Sequence, residues 1–263
     1  MDDKYEKLEK VGEGTYGKVY KAKDKLTGEL VALKKTRLEM DEEGIPRTAV
    51  REISLLQKLS NSIYMVRLIG VQHIHHNGKP LLYLVFEYLD TDLKKFIDSH
   101  RKGPNPSPLP DSQIQRFMFQ LCKDLGLGRT FTLPVKSYTH EIVTLWYRAP
   151  EVLLGSTHYS TGVDMWSVGC IFGLCFLIFL PFVLFTSVAR APTEQQWPGV
   201  TSLKDWHVYP RWEPKNLAHV VPSLGPDGID LLSKMMKYNP GERISAKAAM
   251  EHPYFDSLDK SQF

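Results

Sequence analysis

The residues with chemistry to offer lie near the start of the chain. Gly12, Gly14 and Gly17 form a G-x-G-x-x-G array within VGEGTYGKVY. Glycines at that spacing let backbone close over phosphates with no side chain in the way. Two chemistries use such an array, dinucleotide binding and phosphoryl transfer. A dinucleotide loop should open a helix after its third glycine, whereas Lys18-Val19-Tyr20-Lys21-Ala22 reads as a second strand, which favours the phosphoryl-transfer loop and brings Val19 to the base. Ala32-Leu33-Lys34 then fits a V-A-x-K strand whose lysine holds the α and β phosphates. Glu52 sits in PRTAVREISLLQKL, where Ala49, Ile53 and Leu56 fall at i, i+4 and i+7 and predict a helix with one inward face. A glutamate there can form the ion pair that positions Lys34. Taken singly, a glycine hairpin, a surface lysine and a solvated glutamate would be ordinary. Their order carries the reading.

The elements that position these groups follow from pattern. Three strand-like stretches, broken by the glycines and by a Thr27-Gly28 turn, make an antiparallel meander. Leu82–Leu89 alternates as a buried strand, and a helix starts near Asp92. Ser112–Lys123 predicts a long helix with Ile114, Phe117, Phe119 and Leu121 available for the core. Asp124-Leu125-Gly126 follows directly.

The string Gly44-Ile45-Pro46-Arg47-Thr48-Ala49-Val50-Arg51-Glu52 resembles the cyclin-binding helix of cyclin-dependent kinases, in a variant similar to the plant B-type subgroup, with departures at Arg47 and Val50. The resemblance implies an α+β, bilobal protein-kinase-like fold using ATP and Mg2+. Residues 1–88 would form a small antiparallel β lobe with one helix, and 89–263 a larger, mainly α lobe. It implies a cyclin partner that swings Glu52 toward Lys34. It also implies nucleotide contacts from Gly12, Glu13, Gly14, Gly17, Val19, Ala32 and Lys34, with Phe86 guarding the back of the pocket. The backbone of Glu87 and Leu89 would meet adenine, and Asp92 the ribose. Thr15 and Tyr16 resemble inhibitory phosphorylation sites, where added negative charge opposes the ATP phosphates. Asp124 resembles the aspartate of D-x-G, which holds Mg2+.

The same pattern requires H-R-D-L-x-x-x-N between the long helix and D-x-G, and no His-Arg-Asp occurs in the chain. Adding two strands of about five or six residues to the loop and the rest of the helix puts the loss between Lys123 and Asp124 at about 30 residues. The aspartate that accepts the substrate proton and the asparagine that completes Mg2+ coordination go with it. Beyond the gap, SYTHEIVTLWYRAPEVLLG restores the match. Thr139 resembles the activating phosphothreonine, gripped by Arg51 and Arg129. Val143, Trp146 and Arg148 resemble the wall that prefers proline after the phosphorylated Ser or Thr. Glu151 is expected to pair with Arg243, and Asp164 to brace the lost loop. The last stretch predicts two helices, the second capped by Ser245.

At 263 residues, 43% hydrophobic and 24% charged, the chain can bury a sizeable core. A net charge of +3 without a dense Lys/Arg stripe argues against nucleic-acid binding. Three cysteines, Cys122, Cys170 and Cys175, suit neither a disulfide framework nor a zinc site. The charged start MDDKYEKLEK is not a secretory signal, so nucleus and cytoplasm are expected. No residue from Met165 to Ala189 is charged. Length alone would let this run span a bilayer, but Pro181 and its place inside the domain argue against that. Segment 173–190 stands where the family has polar residues, and puts the docking surface of a small cyclin-kinase accessory subunit in question. Two functions compete: a cyclin-dependent Ser/Thr kinase of cell-cycle control acting on Ser/Thr-Pro sites, and a catalytically dead isoform that binds cyclin.

Overall fold

The computed structural model describes residues 4–14, 17–36, 47–76, 79–102, 107, 109–128, 145–157, 159–176, 192–208 and 216–263. The chain divides into two compact units, Met1–Leu93 and Lys94–Phe263.

The first unit is a five-stranded antiparallel sheet with one helix. Strands β1 (Tyr5–Gly14), β2 (Gly17–Asp24), β3 (Leu30–Thr36), β4 (Leu68–His76) and β5 (Lys79–Glu87) lie in the order β1-β2-β3-β5-β4. The β2–β3 turn is built by Asp24, whose Oδ1 accepts from Leu26 N at 2.9 Å and Thr27 N at 3.3 Å. Gly28 then takes φ +77°, a left-handed conformation that a side chain would disfavour. Alternation along the strands sorts two cores. Ala22, Val31, Leu33, Tyr83 and Val85 pack on one face, while Leu82 and Leu84 pack on the other with Leu68. Helix α1 (Arg47–Leu59) covers that second face through Ile53 and Leu56. Two of the three positions that predicted its inward face therefore do the packing.

The second unit is helical among its described residues: α2 (Leu93–Lys102), α3 (Asp111–Gly128), α4 (Pro150–Leu153), α5 (Gly162–Phe176), α6 (Leu217–Val220), α7 (Pro226–Met235) and α8 (Ala246–Met250). Ile114, Met118, Trp166, Phe172, Leu231, Leu232, Met235 and Phe255 are fully buried side chains at its centre. Close approach of α5 to α7 depends on Gly169, where a Cβ would lie 2.8 Å from Met236 Sδ. Ser245 caps α8 as expected, its Oγ accepting from Ala248 N at 3.2 Å. The three cysteines are free and buried; burial pushes the Cys122 and Cys170 thiols up to about 12 and Cys175 to about 11, which keeps them unreactive.

Two boundaries differ from expectation. Helix α3 does not stop at Lys123 but runs through Asp124, Leu125 and Gly126 to Gly128. With no hairpin between them, Leu121 and Leu125 fall at i and i+4 and extend the apolar face, which outweighs the roughly 1 kcal/mol that each terminal glycine costs a helix. The apolar segment beginning at 173 also starts inside α5, with Gly173 and Cys175 buried in the protein. Residues 177–191 lie outside the described set. Among the described residues, no helix is long and apolar enough to cross a membrane.

Candidate functional site

Strand register brings the predicted nucleotide contacts of the sheet to one face. Lys34 stands opposite Val19 on β2 and opposite Leu84 on β5; Ala32 stands opposite Phe86. Cross-strand partners share a face, so Val19, Ala32, Lys34 and Phe86 lie together. Leu84 and Phe86 pack with Ile53 and Leu56 of α1, so Lys34 leaves the sheet on the face that α1 covers. Glu52 is one residue from Ile53 on that helix. Its side chain and that of Arg51 lie outside the described set, and so does the Lys34–Glu52 contact.

The glycine array forms the turn end of the β1–β2 hairpin. Gly12 pairs with Val19 and Gly14 with Gly17. A Cβ on Gly12 would meet nothing within 4 Å, leaving open space above the strand. Gly17 has φ 130°, where any side chain would be strained. Thr15 and Tyr16 lie outside the described residues. Glu13 is an exposed side chain that pairs with Lys10 at 3.0 Å and Lys18 at 3.6 Å, and the hydrogen bond from Lys10 holds its carboxyl below the usual range.

The end of β5 is tied to the residue that leads into β4. Glu87 N donates to Arg67 O at 3.0 Å, and Arg67 N donates to Glu87 Oε1 at 2.7 Å. Reading the sequence gave no sign of this reciprocal clamp, because its partners are far apart and Arg67 belongs to no motif. Leu89 and Asp92 beyond it are exposed.

The second unit splits the remaining expectations. Glu151 and Arg243 form the expected pair, bidentate at 2.6 Å and fully buried. Arg243 also donates to Lys237 O at 2.7 Å, Gly162 O at 2.9 Å and Tyr238 O at 3.1 Å, and stacks over Trp166 at 5.2 Å. Every donor direction of the guanidinium is used, as a buried charge requires. Tyr147 O accepts from Ser167 Oγ at 2.9 Å, fixing the turn before Arg148 to α5. Arg148 is half-buried, while the Trp146 side chain and all of Arg129, Thr139 and Val143 lie outside the described residues.

Asp124 lies in a helix where a loop was expected. It was expected in a D-x-G loop as a metal ligand; it is a half-buried residue of α3, and burial raises its carboxyl pKa. Among the described residues, no group of three His, Cys, Asp or Glu could hold a metal ion. The residues of the sheet fit a nucleotide, and in this family Mg2+ needs only one or two carboxylates beside the phosphates. Asp164, in the first turn of α5, is an exposed residue whose carboxylate no hydrogen bond or ion pair reaches among the described residues. Protein around it nevertheless raises its pKa.

Comparison with known proteins decides the family. The family described as protein kinase domain matches residues 5–123 and 109–255, its first segment ending at Lys123. Cyclin-dependent kinase B1-1 of Arabidopsis thaliana is 64% identical over 308 residues, covering 99% of this chain and 100% of the relative. Cell division control protein 2 homolog C of Antirrhinum majus is 63% identical over 304, with 99% and 100% covered. Cyclin-dependent kinase B2-1 of Oryza sativa subsp. japonica is 50% identical over 303, with 99% and 92% covered. The chain belongs to the cyclin-dependent protein kinases.

This membership carries the α+β kinase fold, a family that uses ATP and Mg2+, and a family that works with cyclins on protein substrates. The 308-position alignment exceeds the chain's 263 residues, so at least 45 of its positions have no residue here.

Proposed function

We propose that this chain serves the reaction of its family: transfer of the ATP γ-phosphoryl group to Ser or Thr followed by Pro, under cyclin control, in the cell cycle of nucleus and cytoplasm. The observation that carries the nucleotide part is the shared sheet face of Val19, Ala32, Lys34 and Phe86, set by register. Val19, Ala32 and Phe86 offer apolar contact to adenine, the backbone of Glu87 and Leu89 its polar edge, and Asp92 the ribose. Lys34, oriented by Glu52, and the backbone of Gly12, Glu13, Gly14 and Gly17 take the phosphates. Residues 44–59 dock cyclin. Phosphorylation of Thr15 and Tyr16 opposes activity; phosphorylated Thr139, held by Arg51 and Arg129, favours it. Val143, Trp146 and Arg148 form the proline wall. Bound Mg2+ supplies charge neutralisation of the phosphates in this family.

A specific observation favours a second reading, that the polypeptide binds cyclin without catalysis. No His-Arg-Asp is present, and loss of a general base lowers a rate by about a hundred- to ten-thousand-fold. The test is one assay with two readouts: cyclin capture by the purified chain, and labelled phosphate transfer from ATP to a Ser-Pro peptide against its Ser-Ala analogue. Cyclin-dependent transfer confined to the Ser-Pro peptide establishes the first reading. Capture with no transfer establishes the second, and failure of both overturns each.

A further inference from the structure

The clamp between Arg67 and Glu87 departs from ordinary strand pairing in one bond. In an antiparallel ladder a hydrogen-bonded pair exchanges two bonds, each main-chain N–H donating to the opposite main-chain carbonyl. Arg67 and Glu87 make the first of these, Glu87 N donating to Arg67 O at 3.0 Å. The second is diverted, for Arg67 N donates to the Glu87 side chain, at Oε1, 2.7 Å away. A carboxylate forms shorter and stronger bonds than a neutral carbonyl, so it wins this donor. The ladder is irregular at the same place. Leu68 pairs with Phe86 and Gly70 with Val85, so Ile69 is an extra residue, a bulge of the kind that re-aims or ends pairing beside functional sites. Glu87 is also the last residue of β5, and its main-chain carbonyl is not spent on Arg67 N–H.

We propose that the Glu87 carboxylate is a positioning residue for adenine: by occupying Arg67 N–H, it keeps the Glu87 main-chain carbonyl open to the 6-amino group of the base. The proposal rests on the nucleotide reading above, in which the backbone of Glu87 meets the polar edge of adenine. A main-chain carbonyl can only accept, and the exocyclic amino group is the donor on that edge. Without the carboxylate, Arg67 N–H turns to the Glu87 carbonyl and completes the ladder, so strand and base compete for one acceptor. The side chain thus sets a preference for a 6-amino purine without touching it.

Isothermal titration of the full chain compares ATP with purine riboside triphosphate, which lacks the 6-amino group, in one buffer containing MgCl2. The parent should prefer ATP by about three- to tenfold, the worth of one hydrogen bond. Glu87→Ala should bring the two affinities to within about twofold of each other, ATP weakening while the analogue holds. Glu87→Met, of similar length without the oxygens, should behave as Glu87→Ala does, and it decides the matter if the alanine variant does not fold by circular dichroism. Glu87→Gln keeps an acceptor oxygen for Arg67 N–H and should keep most of the preference. Arg67→Pro removes the competing N–H, so adding it to Glu87→Ala should restore the preference without restoring the carboxylate. A preference for ATP that persists in Glu87→Ala, even where both affinities fall together, means that the clamp only braces the strand. That result overturns the proposal and leaves the nucleotide reading intact, as does a parent that binds both nucleotides equally. A parent that binds neither overturns both.

Discussion

The sheet of the first unit and the stretch of α3 around Lys123–Asp124 hold their residues in place by different means. In the sheet, Lys34 is fixed by strands far away in sequence, with Val19 on one side and Leu84 on the other. Its position survives any change that leaves those strands paired. Around Asp124 the fixing is local: each residue is placed by the turn before it in α3. Where no segment turns the chain, a helix propagates through whatever follows, because each added residue gains a hydrogen bond at small entropic cost. Non-local pairing protects the identity of a site; local propagation overwrites it.

Insertion of a segment carrying His-Arg-Asp between Lys123 and Asp124, taken from a relative, tests this contrast most severely. It should raise Ser-Pro peptide phosphorylation by about a hundred- to ten-thousand-fold with cyclin present. The same insertion should leave the sheet's affinity for nucleotide unchanged, the transfer it restores requiring Mg2+ as in the family. An insertion that restores neither would show that the defect lies elsewhere in the second unit.

Next in size is the buried ion pair. Arg243→Ala leaves the buried Glu151 carboxylate without the cation that compensates it, and should cost about 3–5 kcal/mol in urea denaturation. Unlike Asp124, this pair joins residues on either side of a long stretch of chain and stays assembled, so it belongs with the sheet in the comparison.

These cases also show what sequence could reveal. Lys34 and the three glycines stood out in the sequence because each residue type is chemically unusual in its setting and their order is restrictive; the strand register places Lys34 on one face with Val19 and Ala32. The pairing of Glu151 with Arg243 was legible from the family resemblance, and the Ser245 cap from a hydroxyl residue just before a helix. The extension of α3 was not, because Asp124-Leu125-Gly126 had been read as a motif with a fixed place, while its own Leu121–Leu125 spacing argued for helix. The Arg67–Glu87 clamp was illegible for a different reason. It is made by backbone groups and one carboxylate of ordinary type, and only the β4–β5 pairing brings them together.

Gly126→Ala separates helix from loop around the junction. In a helix interior, alanine in place of glycine should stabilise the protein by about 0.5–1 kcal/mol, read as a higher urea midpoint with an unchanged slope. In a turn with positive φ the same change would destabilise it. A loss of stability would return Asp124 to a loop and erase the difference between the two regions.

The smallest effect belongs to Asp164, and its sign depends on pH. Burial raises this carboxyl above its ordinary value near 3.8, so the folded protein binds the proton more readily than the unfolded chain does. Above the folded-state pKa the ionised carboxylate therefore weighs against folding. That cost shrinks as pH falls through the folded value and is gone below the unfolded one. Asp164→Asn should accordingly be more stable than the parent at neutral pH, with the two thermal midpoints converging as the solution is acidified toward pH values near 3.8. In the chain carrying the inserted segment, the returning backbone should donate to the ionised Asp164. The same substitution should then lower the neutral midpoint, because it removes the charge those donors were placed to meet. A substitution effect of the same sign in both proteins would mean that Asp164 is merely a poorly solvated carboxylate and never faced the missing loop.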